Sequence, residues 1–136
     1  MKIMLDTNIL ISAGLFPSKK MTYFLEQVTK HNRILLCTYC LEELKFVIIK
    51  KFPNKHKNIE MFLQKLPFSL VRTHDSNLKR LNISIRDEAD YPVLMPAILA
   101  DVDILITGDK DFVDIKIKKP EIMSPTEFLE RYSQFP

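Results

Sequence analysis

Several common routes to function have little to build on in this chain. No apolar run approaches the roughly 20 residues needed to span a bilayer, which argues for a soluble protein. The first apolar stretch is broken by Asp6 and lacks the basic start and cleavage site of a secretory leader, so the expected compartment is the cytoplasm. There are only two cysteines, Cys37 and Cys40, and no second cysteine pair or paired histidines to complete a four-ligand zinc site. Cys40 falls on the apolar side of the helix expected after it, which favours packing over redox chemistry. His31, His56 and His74 show no ligand spacing. Repeats, low-complexity tracts and linkers are also missing. The excess of positive charge is small, 20 Lys and Arg against 17 Asp and Glu, and permits a nucleic-acid partner without requiring one.

What is present is an ordinary globular composition, 46% apolar and 27% charged, over 136 residues. That length buries a proper core without disulfides, and residues 1–136 are expected to form a single domain. Lys2 to Leu5 has no polar alternation, the pattern of a parallel strand covered on both faces. Helices are expected over Ile9 to Leu15 and Met21 to Thr29, followed by a strand at Ile34 to Leu36. Thr38 then reads as the N-cap of a helix that ends before Pro53. A helix over Asn58 to Leu66 leads to a strand at Phe68 to Val71, whereas the stretch from Thr73 to Asp87 has no clear period. Another helix should begin near Asp90 or Tyr91 and lead into a strand at Ile104 to Thr107. Pro120 precedes a strand at Glu121 to Met123, and Pro125 starts a last helix through Tyr132. Strands alternating with helices at this spacing indicate an α/β sandwich with a mostly parallel sheet.

Two acids end strands in this reading. Asp6 closes Ile3-Met4-Leu5 and is followed by Thr7-Asn8, and Asp109 follows Ile104-Leu105-Ile106-Thr107-Gly108. Parallel sheets bind ligands beyond the carboxyl ends of their strands, so position favours a shared site. Carboxylates brought close together stay ionised only with cations or strong donors nearby, and Mg2+ or Mn2+ is the natural counterion. Glu43 borders the apolar face of the third helix, and Asp90 stands where the next helix should begin. Each has a plainer reading: Asp6 and Asp90 as helix caps, Glu43 as a solvated helix residue. Asp109 and Asp111 compete for one role. Thr7, Asn8 and Thr107 can orient carboxylates and waters, or serve as turn and cap residues. Asp101, Asp103 and Asp114 read as surface or turn residues. The Lys19-Lys20, Lys50-Lys51 and Lys55-His56-Lys57 clusters can steer a polyanion or form solvated faces.

Taken in order, Met4-Leu5-Asp6-Thr7-Asn8-Ile9-Leu10-Ile11-Ser12-Ala13, Leu41-Glu42-Glu43-Leu44 with Lys50-Lys51-Phe52, Asp90-Tyr91-Pro92-Val93-Leu94, Leu105-Ile106-Thr107-Gly108-Asp109-Lys110-Asp111-Phe112 and Met123-Ser124-Pro125-Thr126-Glu127-Phe128-Leu129 resemble the PIN-domain family. The likeness is greatest to its branch of toxin components of bacterial and archaeal toxin-antitoxin systems. It implies a three-layer α/β/α nuclease in which Asp6, Glu43, Asp90 and Asp109 bind one or two Mg2+ or Mn2+ ions, with Thr7, Asn8, Thr107 and Asp111 around them. It further implies cleavage of single-stranded RNA, a homodimer and a cognate antitoxin. The alternative is a PIN-like domain without activity, acting as an RNA-binding or protein-interaction module. The chain departs from the family at Cys37, where relatives often carry Ser, and at Ala100-Asp101, which replaces a Gly-containing turn. Pro96 is a third departure, since proline inside a helix removes a backbone bond and bears on whether Asp90 sits at a helix start or in a loop. A haloacid-dehalogenase-like phosphotransferase would need a second Asp where Asn8 stands, and a phosphoacceptor receiver would need an acidic pair that does not precede Asp6.

Overall fold

Ile3, Met4 and Leu5 lack polar alternation because both faces of their strand are covered, and all three side chains are inaccessible to solvent. The structure, a computed structural model, describes residues 1–73, 91–112, 115 and 117–132. The described strands form one parallel sheet in the order β3-β2-β1-β4-β5, with β1 at Lys2–Leu5, β2 at Arg33–Cys37, β3 at Phe68–Val71, β4 at Ile104–Ile106 and β5 at Glu121–Met123. Parallel neighbours need crossovers, which are largely helical here. The helices are α1 (Thr7–Leu15), α2 (Lys19–Lys30), α3 (Thr38–Lys51), α4 (His56–Lys65), α5 (Tyr91–Leu99) and α6 (Pro125–Tyr132).

The period-2 geometry of the strands divides the core into two layers. Ile3, Leu5, Ile34, Leu36, Ile104 and Ile106 point to one face, where they meet Leu10 of α1, Phe24 and Val28 of α2, Ile59 of α4 and Phe128 of α6. Met4, Leu35, Cys37 and Leu105 point to the other and meet Val93, Leu94 and Ala97 of α5. The architecture is therefore a three-layer α/β/α sandwich. Helix α3 serves both layers, with Leu44 and Ile48 on the first and Cys40 on the second. The rings of Phe24 and Phe128 meet edge to face at 5.7 Å and join α2 to α6. At Gly14 a Cβ would come within 2.7 Å of the Ile59 side chain, so the bare backbone lets α1 and α4 approach closely.

The start of α3 differs from the sequence reading. Cys37 rather than Thr38 takes the N-cap position of α3, in an extended conformation and with no side-chain cap bond. The reason is that β2 pairs with β3 as far as Cys37, opposite Val71, and the chain turns into the helix immediately after. The Thr38 hydroxyl instead accepts the backbone N–H of Thr73 at 2.9 Å. Pro96 does not start or end a helix, because α5 runs through it from Tyr91 to Leu99. A proline there cannot donate to the carbonyl of Pro92 one turn earlier. That carbonyl is met from outside the helix by the Thr73 hydroxyl at 3.4 Å and the Cys37 thiol at 3.9 Å. Asp101 adopts φ of 57°, the left-handed turn conformation that glycine would take more easily. Asp103 is less peripheral than expected, since its carboxylate accepts the Lys2 backbone N–H at 2.8 Å and pairs with Lys119. The stretch from Thr73 to Asp87, which shows no clear period, lies beyond Thr73 outside the described residues, as does Asp114.

Candidate active site

Because every described strand runs the same way, the ends of β1, β2 and β4 open onto one edge of the sheet. Leu5 pairs with Ile106, so the next residues, Asp6 and Thr107, emerge side by side. The Asp6 backbone N–H continues the ladder by donating to the Ile106 carbonyl at 3.0 Å. Asp6 is also the N-cap of α1, with its Oδ1 accepting the Thr7 N–H at 2.7 Å. Its Oδ2 accepts the Thr107 hydroxyl at 2.7 Å. The same hydroxyl oxygen accepts the Asp109 N–H at 3.0 Å. Asn8 completes the frame by accepting the Gly108 N–H at 3.1 Å. One side-chain network thus fixes Asp6 and the segment that carries Asp109.

Asp6, Glu43 and Asp109 border one cleft of about 190 Å³, together with Thr7, Asn8 and Tyr39. Thr107 lies behind Asp6 and is buried. Asp111 falls in a short 3-10 turn, Lys110–Phe112. Asp90 lies outside the described residues. Sequence reasoning did not single out Tyr39, although it precedes Glu43 by four residues and so shares its helix face. Burial, a hydrogen bond to Glu43 and the charge of that carboxylate push the Tyr39 phenol up to about 12. It therefore stays protonated and can hold Glu43 as a donor.

Burial raises the Asp6 carboxyl above the usual carboxylate range. The Thr107 and Thr7 hydrogen bonds oppose this, whereas the nearby charges of Glu43 and Asp109 add to it. Cys40 brings its thiol to 3.8 Å from Asp6 Oδ1 and its sulfur to 3.2 Å from that of Cys37, with both cysteines fully buried. Among the described residues no Lys or Arg pairs with Asp6. Clustered carboxylate and hydroxyl oxygens of this kind are the donors that a hard divalent ion accepts. Even so, no three His, Cys, Asp or Glu side chains among the described residues stand close enough to hold a metal between them.

The family model of the PIN domain matches residues 2–111. The chain belongs to the PIN-domain family. No curated protein matches it. Among solved structures it is similar to a chain in the crystal structure of VapBC2 from Rickettsia felis bound to a DNA fragment from their promoter. The identity is 21% and the TM-score 0.69, over 91% of this chain and 98% of that one. At that identity the likeness speaks for the fold, and the PIN fold accounts for the acid-lined edge of the sheet.

Proposed function

We propose that this PIN domain is a metal-dependent endoribonuclease that cleaves single-stranded RNA and acts as the toxin of a toxin-antitoxin pair. The observation that carries the reading is that Asp6, Glu43 and Asp109, from three different elements, border one cleft, where the two others help to raise the Asp6 carboxyl. Asp6, Glu43 and Asp109, with Asp90 as a fourth, would hold one or two Mg2+ or Mn2+ ions. When bound, such ions polarise a scissile phosphate and make water a stronger nucleophile. The chain's own groups do the rest. Thr107 and the Thr7 N–H hold both oxygens of Asp6, Tyr39 holds Glu43, and Asn8 anchors the turn that carries Asp109. No covalent nucleophile is required.

The similarity to a chain of a VapBC2 complex supports a partner antitoxin, and the homodimer is what the resemblance to the toxin branch implies. No helix among the described residues is long and apolar enough to cross a membrane. A second reading, a PIN-like module that binds RNA or protein without cutting, draws on the lack of a ready-made metal-holding group among the described residues. Incubating the purified, partner-free protein with labelled single-stranded RNA separates the two. Cleavage with Mg2+ or Mn2+ that EDTA stops supports the nuclease, whereas RNA binding without cleavage in any divalent ion supports the module.

A further inference from the structure

Helix α3 carries more than Glu43 on the side that faces the cleft. Phe46 and Lys50 follow Glu43 by three and seven residues, so all three share one helix face, which extends about 10 Å from the acid to the lysine. Phe46 is 59% exposed, a large aromatic surface left in water. The Lys50 ammonium lies 4.9 Å from the centre of its ring. Lys50 is exposed, and no carboxylate pairs with it among the described residues. Val47, one residue on from Phe46, itself borders the acidic cleft, so the exposed face is continuous with it.

We propose that this face of α3 is the track on which single-stranded RNA enters the cleft, one base stacking on Phe46 while Lys50 contacts an adjoining phosphate. The inference rests on the nuclease reading above and assigns residues to substrate binding. A flat apolar ring beside a lysine matches the alternation of base and phosphate in a single strand, and a duplex with its bases already stacked offers no such partner.

The test is fluorescence anisotropy of a labelled single-stranded oligouridylate with the full chain in EDTA, where binding is read without cleavage. Phe46→Ala should weaken binding roughly tenfold or more and Phe46→Tyr should keep it, in line with base-aromatic stacking. Lys50→Gln should lower the slope of log affinity against log salt by about 0.7. Equal affinity of wild type and Phe46→Ala, the same Phe46 dependence for duplex RNA, or no binding by the wild type would each overturn the proposal. So would a Phe46→Ala variant that turns a dimer into a monomer while RNA affinity is unchanged, since the face would then be a self-interface. Phe46-dependent binding without any cleavage in divalent ions would sink the hydrolytic reading and leave the track standing. Cleavage and binding that both ignore Phe46 would do the reverse.

Discussion

The Thr107 hydroxyl donates to Asp6 Oδ2 at 2.7 Å while its oxygen accepts the Asp109 N–H at 3.0 Å, so one buried side chain ties the two strand-end acids together. Removing it leaves a buried carboxylate oxygen and a backbone N–H without their partner. Thr107→Val should therefore destabilise the protein by about 1–3 kcal/mol, and Thr107→Ser should restore most of that. Urea denaturation of the three proteins measures it. A valine variant as stable as the wild type would show that the network has no energetic weight.

The raised Asp6 carboxyl has a consequence for stability in EDTA. Its folded pKa lies above the unfolded value of 3.8, so the folded state holds the proton more tightly than the unfolded one. The favourable contribution is complete below the unfolded pKa and is lost as pH rises through the folded one. At neutral pH the ionised Asp6 strains the fold, and Asp6→Asn should then be the more stable protein, with a margin that shrinks as pH is lowered. Thermal melts of both proteins between pH 4 and pH 8 give the sign. A wild type that is the more stable at neutral pH would contradict the assigned shift.

Much of this molecule is legible in its sequence, for identifiable reasons. β1, β3, β5 and α6 coincide with their expected bounds because apolar runs and proline starts are local signals. The strand-end position of Asp6 and Asp109 follows from the same runs. What the sequence does not display is set by tertiary contact. Thr73 meets the Pro92 carbonyl that Pro96 leaves without a helical donor, and this contact, far off in sequence, lets the expected helix run through Pro96. The N-cap of α3 falls on Cys37 because strand pairing with Val71 persists to that residue. Tyr39 becomes a site residue only through its hydrogen bond to Glu43, and nothing local marks it beyond a spacing of four.

Tyr39→Phe keeps the ring and removes the donor to Glu43. Partners of metal-holding carboxylates influence affinity by about 10- to 100-fold, and a weakening of Mn2+ binding in that range is the expected result. Calorimetric titration with Mn2+ reads it apart from activity. An unchanged affinity would mean that Tyr39 only packs.

In the core, Phe128→Ala would remove a fully buried ring and its edge-to-face contact with Phe24. Loss of about 3–5 kcal/mol is expected, measured by urea denaturation. A change below about 1 kcal/mol would show that α6 contributes little to the fold.

The most direct test of the acidic cleft measures single-stranded RNA cleavage by wild type, Asp6→Asn, Glu43→Gln and Asp109→Asn, each checked by circular dichroism for an unchanged fold. The expected result is a metal-dependent wild type that EDTA silences, with activity reduced by several hundredfold or more in each variant, the scale of losing a principal electrostatic group. Cleavage by Asp6→Asn at the wild-type rate would contradict the assignment, because the activity would then belong elsewhere.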